Sequence, residues 1–268
     1  MLPSGYWQDL TADDFASVDV ERNVALLPLA AIEQHGPHLP LYTDACICEG
    51  ILDAALERIP DEVGLLVLPT QAVGNSVEHL AFPGSLSADP DTLERMWRQI
   101  GACVGASGLR KLILFNTHGG QPQVVDLVAL ELRASHSMLV VKANSFGFGV
   151  PADLFDDEEL DHGIHGGAVE TSMMLHLRPD LVRQEAAENF EPLSLSMAAS
   201  YRHLKPHGLV SFAWMAQDLH PSGVAGDATK ADAEKGRRVV EHMAKSLAEL
   251  VEETARFPLD SLREEPGD

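Results

Sequence analysis

The chain has 268 residues, of which 45% are hydrophobic and 22% are charged, a composition typical of a globular protein with a substantial core. Its net charge of −22 at pH 7 argues against nucleic-acid partners and against anionic membrane surfaces, because both require a basic protein surface. The first residues lack the basic and apolar regions of a signal peptide, and no apolar stretch reaches membrane-spanning length. We therefore expect a cytoplasmic protein without a nucleic-acid or membrane partner.

The first half of the chain alternates short apolar runs with helical patterns. The strand candidates are 24–29, 63–68, 111–116 and 138–143. The helix candidates between them are 45–58, 90–106 and 122–135. The second has residues typical of a helix start, with Asp89 as N-cap and Pro90 at the first helical position. Such alternation predicts right-handed crossovers. The expected fold class is therefore α/β, with a mostly parallel β-sheet flanked by helices.

The second half is less regular. Residues 145–163 are rich in Gly, Pro and Asp and indicate a long loop, whereas 166–177 has the pattern of a partly buried helix. The remaining segments are an irregular stretch at 185–227, a long amphipathic helix at 228–255 and a frayed tail at 261–268. No repeat or linker interrupts the chain, so we expect one domain spanning residues 1–268.

The first candidate site follows the apolar run 24–32. Glu33 and His35 come directly after it, and Asp44 precedes the next helix. Carboxylates and imidazoles in close order suit Zn²⁺, Mn²⁺ or Fe²⁺, and the end of a strand is where open α/β sheets place their ligands. Asp44 is alternatively a helix N-cap, and His38 is either a partner of the ligands or a polar surface residue.

The second candidate site lies between the strand at 111–116 and the helix at 122–135. His118 leaves the same sheet edge as Glu33 if both strands are parallel. Gly119 and Gly120 allow close backbone approach or an anion at the helix N-terminus. Both nucleotide-binding fingerprints are absent, which argues against a nucleotide site.

Two further stretches carry polar residues near the same sheet edge. Glu170 lies among apolar residues of a helix and needs a partner, which a metal ion could supply; His165 precedes it. After the strand at 63–68, Ser76, Glu78 and His79 either contact a substrate, orient the ligands or only stabilise their loop.

Together these stretches resemble the creatininase family of metal-dependent amidohydrolases, over about residues 20–240. The motifs are Glu33-Gln34-His35-Gly36-Pro37-His38-Leu39-Pro40-x-x-x-Asp44, Asn116-x-His118-Gly119-Gly120 and His165-Gly166-Gly167-x-x-Glu170-Thr171-Ser172. Supporting matches are Glu78-His79-x-x-Phe82-Pro83-Gly84 and Gly223-Val224-x-Gly226-Asp227.

The resemblance implies a homohexamer with two divalent metal ions per subunit, Zn with Zn, Mn or Fe. One ion would be held by Glu33, Asp44 and His118, and the second by His35 and Asp44, which would bridge the two. Creatininase itself has a further Glu ligand where this chain has Gly120, and we assign that role to Glu170. His165 would be the proton shuttle, which makes His165 and Glu170 the expected catalytic residues.

The expected substrate-binding residues are Ser76, His79, Gly119 and Asp161. Creatininase has aromatic residues at the positions of Gly119 and Asp161, so this chain is not expected to be creatininase itself. The family's other activities include deformylation of a pyrimidine nucleotide intermediate, peptide trimming in mycofactocin maturation and hydrolysis of a keto-sugar ring.

We therefore expect a metal-dependent amidohydrolase that cleaves the C–N bond of a small non-peptide amide, such as a cyclic amide or formamide. A metal-activated water would attack the carbonyl, and His165 would protonate the leaving nitrogen. The alternatives are a peptidase of the mycofactocin-maturation type, a lactone or keto-sugar ring hydrolase, and a metal-binding protein without catalysis. Five ligands over two metals leave open coordination positions, which favours catalysis.

Overall fold

The computed structural model describes residues 4–263. Its strands are β1 (Asn23–Leu29), β2 (Gly64–Val67), β3 (Lys111–Asn116), β4 (Leu139–Asn144), β5 (Asn189–Phe190) and β6 (Gly226–Asp227). Its helices are α1 (Ala12–Phe15), α2 (Thr43–Leu56), α3 (Pro90–Ala106), α4 (Pro122–His136), α5 (Asp157–His162), α6 (Ala168–Leu177), α7 (Leu193–Ala198), α8 (Ala216–Leu219) and α9 (Ala233–Arg256). None of these helices is both long enough and apolar enough to cross a lipid bilayer.

The main sheet is parallel and has the strand order β2-β1-β3-β4. Every residue of the two central strands, β1 and β3, is buried. Continuous apolar strands of this kind are expected where helices cover both faces of a sheet. The predicted α/β class with a mostly parallel, helix-flanked sheet is confirmed, and all four predicted strands are present within one or two residues of the expected bounds.

Two helical layers cover the sheet. Val24 and Leu26 of β1 point to one face, where they pack in a core with buried residues of α2, α6 and α9. Ala25 and Leu27 point to the other face, toward α3 and α4 and the fully buried Trp97. The alternation follows from the period of two in a strand, which sends successive side chains to opposite faces.

Several boundaries in the second half differ from the prediction. The expected loop at 145–163 contains α5, whose N-cap Asp156 accepts a hydrogen bond from the backbone N–H of Glu159. The long helix begins at Ala233 rather than at 228, because Asp232 caps it by accepting from two backbone N–H groups.

The irregular stretch at 185–227 contains two short helices, α7 and α8, and the antiparallel pair β5–β6. Of the predicted frayed tail, Ser261 ends a 3₁₀ turn that begins at Leu259, and residues 264–268 lie outside the described part of the chain.

Candidate metal centre

The candidate ligands leave the carboxyl edge of the sheet from neighbouring strands. β1 ends at Leu29 and β3 ends at Asn116, and these two residues are paired in register. Glu33 and His35 follow the first strand, His118 follows the second, and all three side chains are buried. The parallel pairing therefore brings residues that are distant in sequence to one point.

Asp44 reaches the same point from the first turn of α2. The N-cap of this helix is Tyr42, so the alternative reading of Asp44 as the N-cap is wrong. Thr117, next to His118, donates a hydrogen bond from its hydroxyl to the backbone carbonyl of Asp44 at 3.0 Å. The Asp44 carboxylate is buried and turned toward the histidines instead of the helix end.

The two oxygens of Asp44 face different groups of ligands. Oδ2 lies 3.3 Å from Nδ1 of His118, which is also 3.3 Å from Oε1 of Glu33. Oδ1 lies 3.3 Å from Nε2 of His35, which is 3.9 Å from Oε2 of Glu170. One carboxylate thus lies between two sets of donors, as a bridging ligand would.

Both histidines present a ring-nitrogen lone pair to these carboxylates. Nε2 of His118 lies 2.7 Å from the carbonyl oxygen of Asn75, and Nδ1 of His35 lies 3.1 Å from that of Glu33. Because a carbonyl oxygen can only accept, these nitrogens donate, and the opposite nitrogen of each neutral ring is an acceptor. Acceptors that face carboxylates in a buried space need a cation or a proton between them.

Unsatisfied atoms mark the same space. Within residues 4–263, Oε2 of Glu33, Nε2 of His35 and Oδ2 of Asp44 are buried and have no hydrogen-bond partner. Ligand atoms of these three residues lie within 4.8 Å of one another. Each unsatisfied group costs about 1–3 kcal/mol, and a divalent cation would satisfy all of them. The mixed imidazole and carboxylate donors fit Zn²⁺, Mn²⁺ or Fe²⁺.

The charges of the centre favour a cation strongly. Burial by itself lowers the pKa of His35, but the carboxylates of Asp44, Glu170 and Glu33 outweigh it and raise that pKa to about 9. The pKa of His118 is likewise raised well above its usual value, despite burial, by Glu33 and Asp44. The potential that holds a proton on these rings would attract a divalent ion equally well.

Gln34 links two further histidines to the centre. Its side-chain N–H group donates to the carbonyl of Gly223 at 2.8 Å and lies 2.8 Å from Nδ1 of His79. Nε2 of His79 then faces Oε1 of Glu33 at 3.4 Å. His165 donates from Nε2 to the backbone carbonyl of Gln34 at 2.8 Å, which leaves its Nδ1 3.8 Å from Oε1 of Glu33. Sequence reasoning missed Gln34, although it lies inside the first motif.

Burial and neighbouring positive charge keep the outer histidines neutral. Desolvation, assisted by the charge of His35, lowers the pKa of His165 to about 4. Desolvation lowers the pKa of His79 far below its usual value, and the neighbouring histidines His165, His35 and His118 act in the same direction whenever they are charged. A neutral His165 at pH 7 can accept a proton before it donates one, as a shuttle must.

Glu170 and His38 are both fixed by the start of α6. Oε2 of Glu170 accepts from the backbone N–H of Gly166 at 2.6 Å, which orients the carboxylate toward His35. Nε2 of His38 lies 2.9 Å from the hydroxyl of Thr171, and the ring is fully buried. His38 is therefore not a surface residue. Its contact with Thr171 holds the motif that begins at Glu33 against the motif that begins at His165.

The centre forms the floor of a cleft with a volume of about 570 Å³. Its polar floor includes Glu33, Asp44, Glu78, His79, His118, His165 and Glu170. Its wall is largely apolar and includes Phe146, Val150, Leu160, Ile164, Val169 and Trp214. A polar floor beneath an apolar wall is the usual form of a small-molecule site.

The four expected substrate-binding residues lie in different places. His79 and Gly119 line the cleft. Ser76 is fully buried beside it, and its hydroxyl has no hydrogen-bond partner within residues 4–263. Asp161 lies on the exposed side of α5 and lines a separate, smaller hollow next to the cleft. The structure therefore brings the expected ligands together and places Asp161 apart from them.

Glu159 is a further buried carboxylate that sequence reasoning missed. It accepts hydrogen bonds from the backbone N–H groups of Ala168 and Asp227, and so joins α5 to α6 and β6. Asp156 followed by acidic residues is a helix-start signal that could have revealed α5. The contacts of Glu159, however, depend on segments far apart in the chain.

Comparison with known proteins gives the family of this chain. Residues 8–251 match the model of the creatininase family, described as creatinine amidohydrolase. The chain therefore belongs to the creatininase family and is a hydrolase of that family.

The chain is also similar to individual relatives. It is 28% identical over 232 residues to a mycofactocin precursor peptide peptidase of Mycolicibacterium smegmatis, covering 85% of this chain and 84% of the relative. It is 28% identical over 251 residues to a creatinine amidohydrolase of Pseudomonas putida, covering 88% and 90%.

Solved creatininase structures share its fold. An Mn form superposes with a TM-score of 0.74, and a Zn-Zn form of a creatininase mutant superposes with a TM-score of 0.73. Both are 26% identical to this chain, and both matches cover 93% of this chain and 98% of the other.

Proposed function

We propose that this protein is a dinuclear metal-dependent amidohydrolase that cleaves the C–N bond of a small amide. The observation that carries the proposal is Asp44, whose two oxygens face separate donor sets, with Glu33 and His118 on one side and His35 and Glu170 on the other. In a site for a single ion, one carboxylate would not need to face two separate sets of donors.

The proposed ligands are the five residues expected from the sequence. Glu33, Asp44 and His118 would hold one ion, and His35, Asp44 and Glu170 the other. Zn and Mn are the proposed metals, since the donors are nitrogen and oxygen and related structures are described as Mn and Zn-Zn forms. When bound, such ions lower the pKa of a coordinated water to about 7 and polarise a carbonyl oxygen.

The protein's own residues would supply position and proton transfer. His165 borders the cleft with Nδ1 directed to the floor, and its neutral ring at pH 7 lets it take a proton and return it to the leaving nitrogen. Positioned acid–base catalysis contributes roughly 10²–10⁴-fold. The apolar wall would exclude water, which strengthens the electrostatic interactions at the floor.

Peptide hydrolysis is the second candidate function. Similarity to a mycofactocin precursor peptide peptidase favours it, and a cleft of about 570 Å³ has room for a group larger than a small ring. The site chemistry is the same in both cases, so only the substrate distinguishes them.

A substrate screen with the metal-loaded protein tests both candidates. The panel contains lactams, cyclic ureides, formamides, lactones and short peptides, each assayed with Zn and with Mn. Turnover of a non-peptide amide supports the first proposal, and turnover of peptides alone supports the second. A protein that binds metals but turns over none of the panel would favour a metal-binding role without catalysis.

The homohexamer and the cytoplasmic location stay predictions, and light scattering of the purified protein would test the former.

A further inference from the structure

One segment of this acidic chain has the opposite charge character. The protein contains 41 Asp and Glu residues against 19 Lys and Arg, yet residues 192–217 contain no Asp or Glu at all. The same segment carries Arg202, His203, Lys205 and His207 within six positions. A local excess of basic groups on an otherwise acidic surface is a feature that favours an anionic ligand.

The segment forms one side of a hollow beside the cleft. The hollow has a volume of about 190 Å³, and its polar lining includes His162, Ser194, Tyr201, Lys205 and His207. His207 lines both this hollow and the larger cleft. A ligand group in the hollow would therefore be continuous with a ligand that reaches the floor of the cleft.

Nδ1 of His162 lies 2.9 Å from the hydroxyl of Ser194, but two other nitrogen groups of the hollow have no protein partner among the described residues. Nδ1 of His207 is buried and has no hydrogen-bond partner within residues 4–263. Lys205 forms no ion pair with a carboxylate of the described residues, although Lys142, Lys230 and Lys245 do. In the Nδ1–H tautomer, the buried ring of His207 and the free ammonium group of Lys205 both offer a donor to the hollow, and an anion supplies several acceptor atoms at once.

The groups also repel one another without a ligand. Burial, and then the positive charges of His162 and Lys205, lower the pKa of His207. A bound anion would reverse part of this effect. Among residues 4–263, Asp161 is the one acidic residue that lines the hollow, and its charge acts on the pKa of His207 in the opposite direction.

We propose that the hollow formed by His162, Lys205 and His207 binds an anionic group, a carboxylate or a phosphate, carried by the substrate at a position away from the scissile bond. The role in substrate selection rests on the proposed amide hydrolysis, whereas anion binding in the hollow does not. Asp161 limits the affinity, because its carboxylate competes with the ligand for the same cationic groups.

A binding titration tests the hollow without any turnover. Trp214 donates from its indole N–H to the carbonyl of Pro206 at 2.7 Å. Because Pro206 directly precedes His207, the fluorescence of Trp214 should report when an anion occupies the hollow. The metal-loaded protein is titrated with inorganic phosphate and, separately, with glutarate, with calorimetry as a second measurement. The anion that binds more tightly identifies the chemistry of the group.

Three exposed substitutions give the titration its controls. We expect Lys205→Gln to weaken binding of the preferred anion about tenfold and Asp161→Asn to strengthen it about threefold, the size of a charge-assisted contact at a half-exposed site. Lys245→Gln, the same change on the exposed face of α9, should alter binding less than about twofold. If the anion binds to the metals instead of the hollow, none of the three substitutions should change its dissociation constant. Equal dissociation constants for the wild-type protein and the three variants therefore overturn the proposal.

Paired substrates test the role in selection. N-formyl-4-aminobutyrate is compared with the neutral N-formyl-4-aminobutanol, and N-formylaminoethyl phosphate with N-formylethanolamine. We expect kcat/KM to favour one anionic member, and the anionic-to-neutral ratio to fall about tenfold in Lys205→Gln and to rise in Asp161→Asn. If the anionic-to-neutral ratio of kcat/KM is the same in the wild-type protein and in both variants, the hollow has no role in substrate selection. The hydrolase proposal is not affected by that result. If no formamide and no other amide is hydrolysed, the hydrolase proposal fails, and the titration still decides whether the hollow binds anions.

Discussion

The floor of the cleft and the hollow at its rim both contain histidines, but their electrostatic surroundings are opposite. On the floor, the carboxylates around His35 outweigh its burial and raise its pKa to about 9. At the rim, burial and the positive charges of His162 and Lys205 lower the pKa of His207. The number of nearby carboxylates therefore decides which charge each region favours: several carboxylates on the floor favour a cation, and the cationic groups around the hollow favour an anion.

The two regions also differ in how they are held. The floor residues leave the ends of buried strands or the first turns of α2 and α6, and hydrogen bonds to backbone carbonyls fix the rings of His35 and His118. The rim consists of α5 and of the segment after α7, where Lys205 is exposed and His207 is half-buried. We therefore expect floor variants to change metal content and chemistry, and rim or wall variants to change selectivity.

The largest effect should come from Asp44→Ala. Because this carboxylate faces both donor sets, its loss should remove both metals and reduce kcat by about a thousandfold or more, the scale of metal-assisted hydrolysis. Elemental analysis of the wild-type protein should give about two divalent ions per chain, and of the variant almost none. One ion or none in a fully active wild-type protein would contradict the two-metal proposal.

The second prediction separates proton shuttle from ligand on the same floor. His165→Asn should keep its metals and lose roughly 10²–10⁴-fold in kcat. Glu170→Gln, its matched counterpart, keeps an acceptor for the N–H of Gly166 but should lose about one metal, since an amide is a weaker ligand than a carboxylate. Metal analysis of both variants checks the assignment. Loss of metal from His165→Asn with full retention in Glu170→Gln would reverse the two roles.

The floor was predictable from the sequence and the rim was not, for a physical reason. Glu33, His35 and His118 follow strands whose apolar runs are visible locally, and parallel strands bring their ends together whatever the rest of the chain does. The position of Asp44 inside α2 instead of at its N-cap was a small error of helix boundary, the least certain part of such reasoning.

The rim depends on tertiary contacts that have no local pattern. The α5 helix has only the residues Asp157–His162, and its placement depends on Glu159, which binds N–H groups of Ala168 and Asp227. The direction of Asp161 follows from that helix. The resemblance to creatininase implied that Asp161 is a position of difference, but the sequence could not place the residue outside the cleft.

The third prediction concerns the substrate. The cleft wall is aliphatic near Leu160, Ile164 and Val169, and Phe146 and Trp214 are its aromatic residues. The resemblance to creatininase implies a further aromatic ring at the position of Gly119. Stacking on an aromatic face is worth up to about 1–2 kcal/mol per contact. The missing contact at Gly119 should therefore make kcat/KM for creatinine about tenfold lower than that of an enzyme evolved for creatinine. A kcat/KM for creatinine above about 10⁴ M⁻¹s⁻¹ with Zn- or Mn-loaded protein would contradict this expectation.

The fourth prediction uses two adjacent glycines as a matched pair. A Cβ atom at Gly120 would overlap Oε1 of Glu78 and lie 2.5 Å from Nε2 of His118, whereas one at Gly119 would meet nothing within 4 Å. Gly120→Ala should therefore displace His118 from its bond with the Asn75 carbonyl and weaken metal binding about 10–100-fold, the usual cost of disturbing such a bond. Gly119→Ala should leave metal affinity within about twofold. Equal affinities in the two variants, measured by competition with a chelator, would mean that Glu78 moves aside freely.

The smallest expected effect is on the wall. Leu160 lines the cleft but is 45% exposed, so Leu160→Ala removes apolar contact area without leaving a buried cavity. Metal content should stay the same, stability should fall by less than about 1 kcal/mol, and kcat/KM for a bulky apolar amide should fall about three- to tenfold through KM. Leu130→Ala, the same change on the exposed face of α4, is the control and should leave kinetics unaltered. A loss of metal in Leu160→Ala would show that the wall helps to hold the metal ligands in place. The proposed division of roles, in which the floor binds metal and the wall selects substrate, would then be wrong.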